Sequence, residues 1–168
     1  HVKAYALLTG HHVRSAALPA DVQALLPAAP LRTHRGDIDA RAFPPEAIDA
    51  AFWLFRLSLG PLVQAGKLGY VLFQFAPWVR FTSRWLEYLA ALPARMPGFR
   101  LAVEFRDRSW LPDHADEALA GLRAAGIAHV VVDAPATANA VPRVAVATAP
   151  FSVFRLHGRN AEGWQRQL

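Results

Sequence analysis

Residues 101–106 read LAVEFR, a short apolar run that ends in a glutamate and an arginine. A near-continuous apolar stretch of this length is typical of a strand covered on both faces of a parallel sheet. Three further stretches have the same form, and a fifth candidate opens the chain. The five predicted strands are Val2–Leu8, Tyr70–Phe75, Leu101–Phe105, His129–Asp133 and Ser152–His157.

Amphipathic stretches lie between the strand candidates. From Pro45 to Ala65, apolar residues recur every three or four positions, which predicts a helix that Gly60–Pro61 kinks or breaks. Thr82 and Asp113 are each placed to cap a further helix. This alternation of strands and helices predicts an α/β fold whose parallel strands are joined by right-handed crossovers.

Composition limits the class of protein. The chain has 168 residues, 54% hydrophobic and 18% charged, which suits one domain with a sizeable core. It contains no cysteine, so disulfides, zinc–thiolate sites, iron–sulfur clusters and cysteine nucleophiles are excluded for these residues. Since no apolar run reaches the roughly 18 residues of a membrane span and no signal peptide is recognisable, we expect a soluble, cytoplasmic protein without a membrane partner.

Polar residues stand where the apolar strands end. They are Gln74, Glu104, Asp133 and His157, at intervals of 30, 29 and 24 residues. Each interval is about one β/α unit, so the same structural position recurs. A carboxylate on an apolar strand is costly to bury unless it is paired, and ligands of parallel α/β folds bind at the carboxyl ends of the strands. The recurrence therefore predicts a shared polar site at that edge.

These residues also have purely structural interpretations. Strand alternation places Arg106 on the face of Glu104, and Arg155 on the face of His157. Glu104 can therefore be a buried salt-bridge partner of Arg106, Arg155 or Lys3. Loop hydrogen bonds, a turn and a core position are the corresponding interpretations of Gln74, Asp133 and His157.

The same stretches resemble the YecE-like family, also called domain of unknown function 72. The similarity lies in VKAYALLTGHH, LGYVLFQFAPWVRF, FRLAVEFRDRSWL, HVVVDAP and FRLHGRN, which follow the family's order over nearly the whole chain. Ala76 stands where the family usually has proline. The resemblance implies a TIM-type (β/α)8 barrel. Because a whole barrel takes about 250 residues, we expect residues 1–168 to form a single, incomplete barrel domain covering about strands three to seven. Its exposed strand edges predict low stability in isolation.

The resemblance also implies a set of site residues, taken over position by position. The implied catalytic residues are Glu104, Asp133 and His157. The implied substrate-binding residues are Lys3, Gln74, Arg106, Trp110, Arg155 and Arg159, and His11 is a further matching position.

Three functions are compatible with this site. The first is an enzyme, a hydrolase or isomerase, that performs acid–base or metal-assisted chemistry on an anionic or sugar-like small molecule. Its catalytic residues offer oxygen and nitrogen ligands for a divalent metal, and the sequence has no nucleotide-cofactor motif. The second is a nucleic-acid binding or processing protein, whose stacking residues would be Trp78, Trp110 and Trp164. The third is a non-catalytic interaction scaffold. The family's activity is not settled, so the resemblance implies a fold and a site but no reaction, and the oligomeric state stays open.

Overall fold

The protein is described here by a computed structural model, which covers residues 1–111, 113–135 and 141–158. These residues contain five strands and four α-helices. The strands are β1 (Val2–Lys3), β2 (Val71–Gln74), β3 (Leu101–Glu104), β4 (Ala128–Asp133) and β5 (Val153–Leu156). The helices are α1 (Ala20–Gln23), α2 (Pro45–Gln64), α3 (Ser83–Arg95) and α4 (Ala115–Ala124).

The strands are hydrogen-bonded in the order β1-β2-β3-β4-β5. β1 pairs with β2, β3 with β4, and β4 with β5, each in parallel. Crossovers that return the chain to a parallel neighbour require connections of a dozen or more residues, and α2, α3 and α4 lie in three of these connections. The predicted α/β class with parallel strands is therefore confirmed.

The chain divides into two compact units, His1–Phe73 and Gln74–Leu168. In the first unit, the predicted strand Val2–Leu8 is wrong beyond Lys3. Ala6–Thr9 form a 3-10 turn, which buries Leu7 and Leu8 and is closed by Gly10 at φ +77°. Glycine adopts this left-handed conformation without steric cost, so the apolar run turns inward instead of extending β1.

Helix α2 is the main helix of the first unit, and it buries Ala47, Ala51, Phe52 and Leu59. The predicted break at Gly60–Pro61 is wrong, because α2 continues through Pro61 to Gln64, whereas the alternative of a kink stays a prediction. Pro61 lies on the exposed side of the helix. The carbonyl that loses its partner there belongs to Leu57, which is 55% exposed, so water can satisfy it.

In the second unit, α3 and α4 pack against each other. The Thr82 side chain accepts a hydrogen bond from the Trp85 N–H and caps α3, as predicted. Gly121 of α4 lies so close to Leu86 of α3 that an added Cβ atom would be 2.8 Å from the leucine Cδ1. A side chain at position 121 would therefore force the Leu86 side chain to move.

The cap predicted at Asp113 is wrong. His114 is the residue that precedes α4, and no side chain caps this helix. Asp113 lies one residue too early to occupy the capping position. No helix among residues 1–111, 113–135 and 141–158 is long and apolar enough to cross a membrane.

Candidate functional site

Several polar side chains surround the carboxylate of Glu104 at the carboxyl end of β3. Its side chain is 0% exposed. Gln74, the last residue of β2, donates a hydrogen bond from Nε2 to Glu104 Oε1 at 2.7 Å. The guanidinium of Arg155 on β5 forms an ion pair with Glu104 Oε2, and Arg106 Nη1 lies 3.9 Å from Oε1. We call these four residues the Glu104 cluster. The structure thus joins two predicted strand-end positions, Gln74 and Glu104, with one arginine of β5 and one loop arginine.

The Glu104 cluster solves the problem of burying a charge. An isolated carboxylate in an apolar interior is strongly disfavoured, whereas a paired and hydrogen-bonded one is tolerated. Here one carboxylate pairs with two guanidinium groups. The arginines also reach the surface, with side-chain exposures of 24% for Arg106 and 22% for Arg155. The salt-bridge interpretation of Glu104 is confirmed for both arginines.

Asp133 and His157 meet at the carboxyl ends of β4 and β5. The His157 backbone N–H donates to the Asp133 carbonyl at 2.9 Å. The Asp133 carboxylate lies 3.6 Å from Arg143 Nη1, and its side chain is 29% exposed against 62% for Arg143. Both predicted residues are therefore near the surface end of their strands. The sequence reasoning did not find Arg143, because its segment has no periodic pattern.

The described residues offer no ready metal centre. In the ranges 1–111, 113–135 and 141–158, no three His, Asp or Glu side chains converge closely enough to hold a metal ion. The structure thus does not gather Glu104, Asp133 and His157 into one ligand set. Glu104 instead directs its two oxygens to Gln74 and Arg155.

The family model described as "Protein of unknown function DUF72" matches residues 1–167. The chain belongs to the DUF72 family. It is 33% identical over 168 aligned positions to the UPF0759 protein YunF of Bacillus subtilis (strain 168), an alignment that covers 98% of this chain and 50% of YunF. The DUF72 chain therefore spans about half the length of this curated relative.

Two solved DUF72 structures resemble the fold. A DUF72 family protein from Thermotoga maritima MSB8 matches with a TM-score of 0.63 and 33% identity, over 70% of this chain and 44% of that one. A DUF72 family protein from Enterococcus faecalis V583 matches with a TM-score of 0.63 and 31% identity, over 74% and 49%. These likenesses support the fold of this DUF72 chain and carry no reaction with them.

Trp110 lies in the loop that follows β3, at the end of the 3-10 turn Arg108–Trp110. Its side chain is 0% exposed and stacks on Phe105 with ring centroids 4.2 Å apart. The indole N–H donates to the Val79 carbonyl at 2.8 Å. In this structure Trp110 is therefore a packing residue between two strand-to-helix loops. The substrate-binding role that the resemblance implied for it stays a prediction.

Asp107 and Ser109, which are close to Trp110 in the chain, also connect the loops after β2 and β3. The Asp107 carboxylate accepts a hydrogen bond from the Ser109 backbone N–H, and the Ser109 hydroxyl accepts one from the Phe81 N–H, both at 2.8 Å. The loop after β3 is thereby tied to the loop after β2. The sequence analysis did not select Asp107 or Ser109. Their spacing is the one that Asx turns use, and that signal could have found them.

The remaining predicted residues belong to the first unit or fall outside the described residues. Lys3 and His11 belong to the first unit, where Lys3 ends β1 and is exposed. Arg159, and with it Trp164, lies outside the described residues. The site interpretation of this DUF72 chain therefore rests on the second unit.

The start of β4 is tied to the segment before β5 by His129 and Thr148. The Thr148 hydroxyl accepts from the His129 backbone N–H at 2.7 Å and donates to the Ile127 carbonyl at 2.6 Å. His129 Nε2 lies 3.1 Å from the Val144 carbonyl. A carbonyl only accepts, so the proton is on Nε2 in neutral His129. In the part of the chain that the structure describes, the buried Nδ1 has no hydrogen-bond partner.

His129 should make the stability of this unit depend on pH. Burial lowers the pKa of His129 below its ordinary value of 6.5, and the hydrogen bond to Val144 opposes this only in part. The unfolded chain therefore binds the proton at this histidine more readily than the folded chain. The contribution of neutral His129 to the free energy of unfolding is complete above pH 6.5. It is lost as the pH falls from there through the lowered pKa of the folded state.

We therefore expect the urea midpoint of the protein to fall as the pH is lowered from about 7 to 5. His129→Gln should weaken this dependence, whereas His34→Gln, at an exposed position, should leave it intact. Equal pH slopes for the wild type and His129→Gln would show that another group is responsible.

Proposed function

We propose that this chain binds the anionic group of a small molecule at the Glu104 cluster, as part of an enzyme site at the carboxyl ends of the strands. The observation that carries the proposal is the buried Glu104 carboxylate holding two guanidinium groups that both reach the surface. Guanidinium groups suit phosphate and carboxylate because they present several donors in a fixed plane. The donors of the two partly exposed guanidinium groups favour an anion over a cation.

In this proposal Glu104 is a positioning residue. Its carboxylate has no exposed surface and is engaged by Gln74 and Arg155, which disfavours direct proton transfer to a ligand. Asp133 and His157 are better placed for acid–base work, since both are only partly buried at the same strand ends. The proposed activity is thus that of a hydrolase or isomerase acting on an anionic or sugar-like small molecule.

We also propose that the strands belong to a TIM-type barrel. Parallel neighbours in sequential order are what such a barrel requires, and YunF has about twice the length of the aligned region. Ligands of barrel enzymes bind at the carboxyl ends of the strands, where the Glu104 cluster lies. This agreement supports the enzymatic proposal over an interaction scaffold.

The nucleic-acid hypothesis receives less support. Of its three stacking residues, Trp110 is completely buried and Trp164 lies outside the described residues, while Trp78 is 50% exposed. Among the described residues Trp78 is thus the exposed one of the three, and one tryptophan alone does not form a stacking platform for successive bases.

Anion binding can be tested by calorimetric titration of the full chain with inorganic phosphate. We expect Arg106→Gln to weaken binding about tenfold, because it removes a charge-assisted contact worth about 1.5 kcal/mol. Arg106 is preferred over Arg155 for this test because Arg155 is the close ion-pair partner of the buried Glu104 carboxylate.

Arg123→Gln is the matched control, since Arg123 is exposed at the end of α4 and its replacement removes the same positive charge. Binding should be unchanged in this variant. If phosphate does not bind the wild type at millimolar concentrations, or binds both variants equally, the proposal is wrong. Circular dichroism melting of each variant separates a binding defect from unfolding.

A further inference from the structure

Helix α2 carries a row of exposed apolar side chains. Trp53 is 51% exposed and Leu57 is 55% exposed. Trp53, Leu57 and Pro61 are spaced by four residues, so their side chains follow one another along one side of the helix. Within the described parts of the chain, every exposed large apolar side chain that lies on an α-helix belongs to α2. Exposed apolar side chains that are grouped in this way are typical of protein–protein contact surfaces.

The same side of α2 also offers room for a large side chain. Gly60 has no side chain, and a Cβ atom added there would meet nothing within 4 Å. Pro61 is exposed directly beside it. We call Trp53, Leu57, Gly60 and Pro61 the α2 face. Because it has both a large exposed ring and an open apolar place that can receive a ring, the α2 face is complementary to itself.

The α2 face also contains a hydrogen-bond acceptor and a matching donor. Pro61 has no N–H, so the Leu57 carbonyl lacks the donor that an α-helix normally supplies four residues later. The indole N–H of the half-exposed Trp53 is a donor. Within one helix these two groups stay apart, because side chains point toward the N-terminus and carbonyls toward the C-terminus. A second helix can bring them together.

The charges at the two ends of α2 suit an antiparallel pair of such helices. Glu46 is exposed in the first turn, and Lys67 is exposed just beyond the last one. In an antiparallel pair centred on Leu57, the Glu46 carboxylate of one copy lies near the Lys67 ammonium group of the other. The same register places each Trp53 opposite the Pro61 of the second copy. A two-fold dimer requires this kind of reciprocal pairing.

We propose that α2 is the contact helix of a two-fold dimer, in which it packs antiparallel against α2 of a second copy of this chain. Trp53 covers Gly60 and Pro61 of the second copy and donates its indole N–H to the Leu57 carbonyl there. One helix per copy buries less than the roughly 800 Å² per partner of a stable complex, so the dimer is weak and forms above about 10 µM. The inference rests on the first unit alone and does not require the Glu104 cluster to bind an anion.

Association can be measured by sedimentation equilibrium of the full chain between about 10 and 500 µM. We expect the average mass of the wild type to rise toward that of a dimer. Trp53→Gln should weaken association about tenfold or more, because it removes the central aromatic contact. Trp78→Gln is the matched control, since it replaces a tryptophan of nearly the same exposure, 50%, in the second unit. A wild type that stays monomeric throughout, or equal association of the two variants, would overturn the proposal.

Charge reversal tests the antiparallel arrangement itself. Glu46→Lys and Lys67→Glu each place like charges opposite one another in the dimer, so each should weaken association several-fold. The double variant places opposite charges together again and should associate as the wild type does. If the double variant does not recover, the proposed arrangement is wrong. Circular dichroism melting of each variant shows that the fold is retained.

The wild type alone provides a further readout that needs no folded variant. In ¹⁵N–¹H NMR spectra, we expect the indole N–H resonance of Trp53 to shift as the protein concentration rises, because this group gains the Leu57 carbonyl as its acceptor. The indole resonance of Trp78 should stay in place over the same range. A Trp53 indole resonance that does not change with concentration would overturn the proposal.

Discussion

Replacing Arg155 with glutamine should lower the free energy of unfolding by about 3 kcal/mol, because it removes the close ion-pair partner of a buried carboxylate. Glu104 is 0% exposed and has Arg155 as its ion-pair partner in close contact, whereas Arg106 is 3.9 Å away. Removing one partner of such a pair costs much more than the pair itself contributes, since the remaining charge loses its compensation without regaining water. Urea denaturation followed by circular dichroism measures the effect.

A double-mutant cycle shows whether the loss of stability comes from the buried Glu104 carboxylate that has lost its ion-pair partner. In a Glu104→Gln background, Arg155→Gln should cost about 1 kcal/mol or less, because no buried charge remains to be left unpaired. Arg143→Gln is the matched control at an exposed ion pair with Asp133, and we expect a loss below about 1 kcal/mol there. Equal losses for Arg155→Gln in both backgrounds would contradict this account of the Glu104 cluster.

Replacing Trp110 with alanine should cost about 3–5 kcal/mol, which is the usual range for emptying a large aromatic site in a core. Trp110 is fully buried, stacks on Phe105 and contacts Phe75 and Phe81 through their rings. Its loss leaves a cavity between the loops after β2 and β3. We therefore expect a large decrease in the urea midpoint of the protein.

Two further variants separate the contributions of Trp110. Trp110→Phe keeps a stacking ring but loses the indole hydrogen bond to Val79, so about 1–3 kcal/mol should be lost. Trp53→Ala is the control, since Trp53 is 51% exposed on α2, and it should cost no more than about 1 kcal/mol. If Trp110→Ala cost no more than Trp53→Ala, Trp110 would not be the packing residue described above.

The strands show how much of the fold could be predicted from the sequence alone. Four predicted strands coincide with β2 to β5 within one or two residues at each end, because apolar runs bounded by turn residues are a local signal. The capping role of Thr82 is equally local and was also found. The break predicted at Pro61 was wrong because the effect of a proline depends on which side of α2 faces water, and that is a tertiary property.

The sequence by itself determined the α/β class, the parallel strands and the polar residues at their carboxyl ends, because hydrophobic pattern and chain order carry this information. Only the tertiary structure decided the partners of those residues. Gln74, Glu104 and Arg155 come from three strands, and the distances between their side chains depend on strand register and packing. For the same reason Trp110 was assigned to ligand binding from its motif, whereas packing against Phe105 and Val79 buries it completely.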